Sequence, residues 1–146
     1  MAEDIQGMRS SLLELWNTGN AEVVQRLYGD KVKRWDPNRP EPIRGPQEIA
    51  WYVAEVRAGY PDFKLEVNEM IAEGDCLAAH WTVTGTHKGE FLGIPATGKR
   101  ITISGVTFNR IENHKIVEEH AYFDRLTMLE QLGVSPESVK TKGATG

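Results

Sequence analysis

Phe63-Lys64-Leu65-Glu66-Val67-Asn68 alternates apolar and polar side chains, and at this stretch the period of the chain changes. Successive residues of a strand point to opposite faces, so the alternation reads as a strand with one face buried. Turn signals at Glu73-Gly74-Asp75, at Gly93-Ile94-Pro95-Ala96-Thr97-Gly98 and at Glu112-Asn113-His114 divide the chain beyond it. Four strands are expected, over roughly 63 to 72, 76 to 87, 99 to 111 and 115 to 123. Their short links imply an antiparallel sheet.

Before Phe63 the period is helical. Ile5, Met8, Leu12, Leu15 and Trp16 make one apolar stripe, which ends at Asn17-Thr18-Gly19-Asn20. Ala21 to Tyr28 reads as a second helix begun at Asn20, and Val32 and Trp35 as a brief strand. Four prolines between Pro37 and Pro46 then forbid regular structure. A third helix opens at Gly45-Pro46, carries Ile49, Tyr52, Val53 and Val56, and stops at Tyr60-Pro61. After the strands, Leu126, Leu129 and Leu132 form a closing helix that ends at Gly133. Helices first and long strands afterwards predict an α+β fold, a strongly curved antiparallel sheet with helices packed on its concave face. Such an arrangement encloses a conical space where a small ligand fits. The 146 residues suit one domain, expected over 1–134, with a C-terminal tail at 135–146 that carries no aromatic residue.

Composition removes several classes of function. Lys and Arg number 17 against 21 Asp and Glu, a net charge of -4, which disfavours nucleic acid and anionic membranes as partners. The acidic start Met1-Ala2-Glu3-Asp4 leads into an amphipathic stripe and lacks the basic and apolar regions of a signal peptide. No apolar run is long enough for a transmembrane helix. Cys76 is the only cysteine, which excludes an internal disulfide and a multi-thiolate metal site and suits a reducing, cytoplasmic setting. His80, His87, His114 and His120 have no paired metal-ligand spacing, so no metal is expected. Gly93 to Arg100 approaches the phosphate-loop pattern, but Arg100 stands where Ser or Thr must hold magnesium, and a strand comes next instead of a helix. No nucleotide or other cofactor is expected, and without a Gly-x-Ser-x-Gly elbow neither is nucleophilic hydrolysis.

The remaining candidates cluster on the expected sheet and its helices. Trp16, Trp35, Trp51, Tyr52 and Trp81 suit core packing singly and a pocket for a flat apolar ligand as a group. If Glu112-Asn113-His114 is a three-residue hairpin loop, Ile111 faces Lys115, Thr107 faces Glu119 and Gly105 faces Ala121. Val117, Glu119, Ala121 and Phe123 then share a face with Ile103, Thr107 and Asn109. A carboxyl left alone among apolar side chains such as Trp16, Tyr52 and Phe123 favours its neutral form and suits acid/base work, which makes Glu119 the first candidate. His80, on a strand, reads as a core histidine or a base. Asp124, before the closing helix, reads as its N-cap or an acid.

Several of these segments resemble one family in order and spacing: Leu15-Trp16-Asn17-Thr18-Gly19-Asn20, Arg44-Gly45-Pro46, Tyr60-Pro61-Asp62-Phe63, Thr86-His87-Lys88-Gly89-Glu90-Phe91-Leu92-Gly93-Ile94-Pro95-Ala96-Thr97-Gly98, Lys115-Ile116-Val117-Glu118-Glu119, Asp124 and Gln131-Leu132-Gly133. They are similar to the SnoaL-like polyketide cyclases of the nuclear transport factor 2-like superfamily. The resemblance, over about residues 5 to 134, implies a cone-shaped α+β barrel of a kind usually assembled as dimers or tetramers, and a homodimer is expected here. It also implies a cofactor-free intramolecular aldol condensation of an aromatic polyketide ester, with Trp16 and Tyr52 at pocket positions. Ala121 aligns with the family's acid/base aspartate and Thr107 with its histidine neighbour, and alanine moves no proton. Three readings are open. Other groups in the cavity, Glu119 or His80, drive cyclisation, isomerisation or dehydration; or the base lies at His120 or Asp124; or the cone is a non-enzymatic binding module. Trp16, Trp35, Tyr52, Val56, Ile103, Thr107, Asn109, Ala121 and Phe123 are the expected contacts for an apolar or aromatic small molecule.

Overall fold

The structure, a computed structural model, describes residues 2–136, with side chains from residue 5 onward; the expected tail lies outside the described residues from 137 on. The helical stripe at the start is α1 (Ala2–Thr18). A left-handed Gly19 (φ 75°) ends it, and the Asn20 Oδ1 accepts the Glu22 amide at 3.1 Å to start α2 (Glu22–Leu27). The chain then enters β1 (Tyr28–Trp35), so Tyr28 belongs to a strand and not to the helix expected there. A two-residue strand, β2 (Ile43–Arg44), interrupts the proline-rich loop before α3 (Gly45–Gly59), whose Pro46 sits in its first turn.

The four alternating segments form β3 (Lys64–Glu73), β4 (Cys76–Thr86), β5 (Arg100–Glu112) and β6 (Lys115–Phe123). Asp124 caps α4 (Arg125–Leu132), which ends at the left-handed Gly133 (φ 75°). One six-stranded, unclosed sheet results, in the order β2-β1-β6-β5-β4-β3. Its curve is lined inside by α1, α3 and α4, which contribute Leu12, Trp16, Tyr52, Val56 and Met128 to the space it encloses. No helix among the described residues is long and apolar enough to cross a membrane.

Two further features differ from the sequence expectation. The sheet is antiparallel except at β1–β6, where Lys33, Arg34 and Trp35 run parallel to Glu118, Glu119 and His120. Nothing in the period of β1 encodes a partner more than 80 residues downstream. The β5–β6 hairpin has a two-residue turn, Asn113-His114, with φ of 51° and 64°, the left-handed pair that matches strand twist. A bulge then leaves Val117 unpaired between Ile111↔Ile116 and Arg110↔Glu118. Glu119 therefore faces Asn109, and Thr107 faces Ala121, each two residues from the expected pairing. A slip of two preserves the face of every side chain, so Glu119, Ala121 and Phe123 still share a side with Ile103, Thr107 and Asn109.

Candidate active site

The space between sheet and helices is a cavity with about 880 Å³ of atom-free volume, its open mouth included. Its walls are mostly apolar, with Trp16, Tyr52, Phe63, Trp81, Phe91 and Phe123 among them. Trp81 reaches across the wall because its strand partner is Gly105: a Cβ there would lie 2.6 Å from the indole. The indole Nε1 donates to Thr107 Oγ1 at 2.7 Å, which fixes the ring.

The polar end of the cavity is built on β1. Alternation puts Val32 and Arg34 inside, and Asp36 comes next on the same side. Arg34 Nη1 donates to Glu119 Oε1 at 2.6 Å, while Nη2 and Nε donate to Asp36 Oδ2 at 2.8 and 3.2 Å. The guanidinium carbon also lies 5.5 Å from the Trp16 ring and 5.8 Å from the Tyr52 ring, within reach of a cation–π attraction to both. Burial alone would lower the Arg34 pKa, but the charges of Glu119 and Asp36 outweigh it and hold it above its ordinary range. Tyr28 donates to both Glu119 oxygens at 3.0 Å, and burial together with the Glu119 charge raises its phenol pKa well above the usual value. It stays a neutral donor. Burial and the Asp36 charge do the same to Tyr52, whose hydroxyl accepts from Asn38 Nδ2 at 3.2 Å. Asn38 N in turn donates to Asp36 Oδ1 at 2.9 Å.

Of the residues singled out in the sequence, Glu119, Trp16, Tyr52, Val56, Ile103, Thr107, Asn109 and Phe123 line this cavity. Glu119 is 1% exposed and ion-paired, not alone among apolar groups as its neighbours in sequence suggested. Ala121 is buried on the same strand face but does not reach the cavity lining. Trp35, one residue from Arg34, points outward and stacks on His120 at 4.4 Å. His80 is exposed on β4, and Asp124 is exposed at the start of α4, where it accepts from Thr127 N at 3.0 Å and Thr127 Oγ1 at 2.7 Å. Those contacts lower the Asp124 pKa and mark it as the capping carboxylate of α4, outside the cavity lining. None of the three joins the site.

Sequence reasoning passed over Arg34, Asp36, Tyr28, Asn38 and Tyr60, all but Tyr28 part of the cavity wall. A signal for the first two existed. Val32 and Trp35 are three apart, so they cannot share a strand face; if Val32 is inward, Arg34 is as well.

This arrangement defines a class: a curved sheet closed by helices over an apolar cavity with an acidic and basic polar end. The chain belongs to the SnoaL-like polyketide cyclase family, whose model matches residues 6–132. It is 27% identical over 124 residues to aklanonic acid methyl ester cyclase DnrD of Streptomyces peucetius, covering 84% of this chain and 86% of that protein. DauD of Streptomyces sp. (strain C5), another aklanonic acid methyl ester cyclase, is 26% identical over the same length and is covered to 77%. Among solved structures, IdmH of Streptomyces antibioticus matches with a TM-score of 0.73 and 28% identity, over 88% of this chain and 98% of IdmH. TsrD of Streptomyces laurentii shares the fold at a TM-score of 0.83 and 22% identity, over 92% and 98% of the two chains.

Proposed function

We propose that the protein is a cofactor-free acid/base enzyme that forms and uses an enolate of an apolar, polyketide-like carbonyl substrate, with aldol-type ring closure as its reaction. The observation that carries this is the pairing of Glu119 with Arg34 at the end of an apolar cavity. Enolate chemistry needs a base for the proton and a fixed positive group for the oxygen that receives the electrons. Glu119 Oε2 is bonded to Tyr28 alone, which leaves a lone pair for a proton on carbon. Arg34 uses three of its N–H groups on Glu119 and Asp36, and a guanidinium has five. The C–H bond breaks toward Glu119, and its electrons pass to the carbonyl oxygen beside Arg34. The carbanion then attacks a second carbonyl of the same chain, folded near it by the aromatic walls, and the new alkoxide takes the proton that Glu119 removed, which returns the carboxylate. DnrD and DauD are cyclases of aklanonic acid methyl ester, which is the kind of substrate this chemistry suits.

The test needs no natural substrate. Exchange of the central protons of 1-phenylbutane-1,3-dione in deuterium oxide, followed by NMR, reports enolate formation directly. Glu119→Gln keeps the fold and slows the catalysed exchange by roughly 10²- to 10⁴-fold. Unchanged exchange in that variant sinks the assignment. The proposal includes a homodimer, since large apolar side chains including Trp35, Phe108 and Tyr122 are exposed on the outer face of one sheet. Light scattering at micromolar concentration that shows only the 16.4 kDa chain removes that part.

A further inference from the structure

The two strands that bring Arg34 and Glu119 together are both irregular, and they are irregular at the same place. Between the pairs Tyr28↔Ile116 and Lys33↔Glu118, the four residues Gly29 to Val32 of β1 stand opposite one residue of β6, Val117. Val117 is also the residue that β5 leaves unpaired. The strands meet closely there: a Cβ on Gly29 would lie 3.1 Å from Val117 Cγ1 and 3.7 Å from the Ile116 carbonyl oxygen. Bulges gather beside functional sites because they re-aim a side chain.

The side chain re-aimed here is Tyr28. Six residues of regular strand carry the backbone about 20 Å, too far for Tyr28 and Arg34 to reach one carboxylate from a straight β1. The surplus residues of β1 shorten that step. Tyr28 pairs with Ile116, only three positions before Glu119, and its hydroxyl lies 3.0 Å from both Glu119 oxygens. Tyr28 is 0% exposed and is not part of the cavity lining, so it acts only through Glu119. The charged groups of the lining besides Glu119 are Arg34, bonded to Oε1 at 2.6 Å, and Asp36, bonded to Arg34; the β5 partner Asn109 carries no charge.

We propose that Tyr28 is a positioning residue for Glu119, placed there by the facing irregularities of β1 and β6. This rests on the reading of Glu119 as the base. A carboxylate and a guanidinium prefer a two-pronged contact, and Arg34 has N–H groups to spare for one. Tyr28, equidistant from the two oxygens, holds Glu119 to a one-pronged contact, with Oε2 kept off the arginine and free to take a proton. A hydrogen bond donated to a carboxylate also favours its ionised form, the form a base needs.

The pH profile of the catalysed exchange of 1-phenylbutane-1,3-dione tests this, over the range in which circular dichroism shows each protein folded. In Tyr28→Phe the plateau rate falls several-fold and the acid limb moves up by about one pH unit, the shift expected when a carboxylate loses one typical hydrogen bond. A merely structural role lowers the amount of active protein, which scales the whole profile and leaves the limb in place. An unmoved limb therefore overturns the proposal. Should Tyr28→Phe not fold, Gly29→Val decides: its side chain presses on Val117, draws Tyr28 off the carboxylate and moves the limb in the same direction, and Val117→Ala added to it moves the limb back. A limb unmoved by Gly29→Val overturns the proposal as well. Glu119→Gln separates the two readings. Exchange slowed there, with an unmoved limb in Tyr28→Phe, leaves the base and removes its positioning residue; exchange unchanged in Glu119→Gln removes both.

Discussion

At the polar end of the cavity the two faces of the sheet, one residue apart along each strand, are opposites of what a hydrophobicity scale would assign. Arg34, Asn109 and Glu119 point inward, and their neighbours Trp35, Phe108 and His120 point outward. Inside, the charged groups are matched to one another and to Tyr28, so burial costs them little that is not recovered. Outside, Trp35 and His120 lie parallel with an interplanar angle of 3°, while Phe108 is 41% and Tyr122 61% exposed. The difference teaches that connectivity, more than polarity, decides what the concave face tolerates.

The sharpest attack on that comparison is Arg34→Met. It removes the one cation between Glu119 and Asp36 and leaves two buried carboxylates uncompensated, so the loss of stability should reach about 3–5 kcal/mol. Urea unfolding measures it; a loss below about 1 kcal/mol would mean that the inward network is not coupled.

A smaller effect is expected at His87, which is fully buried against Tyr60 with ring centroids 5.3 Å apart. Burial lowers its pKa below the ordinary 6.5, so the folded protein holds it neutral where the unfolded chain starts to protonate. The stability it contributes is complete above about pH 6.5 and is lost as the pH falls through the folded value, with a slope of up to about 1.4 kcal/mol per pH unit. Unfolding free energies at pH 7.5 and 5.5 should differ more in the wild type than in His87→Phe. Equal differences in the two proteins would remove His87 as the source.

Least costly is the outer face. Trp35→Ala loses a half-exposed ring and its stack on His120, about 1 kcal/mol or less, and deuterium exchange stays at the wild-type rate. A tenfold fall in exchange would show that the faces are not independent.

Much of the fold is legible from residue order. The change of period at Phe63 locates the sheet, and the parity of β6 turns Glu119 inward even though the hairpin loop is one residue shorter than expected and Val117 bulges. The two shifts sum to an even number, which spares the face assignment. Arg34 is hidden by its neighbour Trp35: an apolar residue in a short strand attracts the reading of an inward side chain, and parity with Val32 argues against it. Tyr28 is hidden by the helix before it, because a helix end and a strand start one residue apart leave no break in composition. The ion pairs of Arg34 depend on which strand lies beside β1, a fact of tertiary pairing that local period does not carry.

That pairing also governs when the site comes into being. Arg34 and Glu119 are 85 positions apart, and β1 finds its parallel neighbour only after β6 exists. At the usual rate of synthesis, roughly 5–20 residues per second, the arginine waits about 4 to 17 s for its carboxylate, with β1 paired at most to the two residues of β2. During that interval the strand offers an open edge, and its guanidinium stays in water. Closure of β1 on β6 is thus a late, long-range step, and the Arg34–Glu119 pair at the end of the cavity forms only with it.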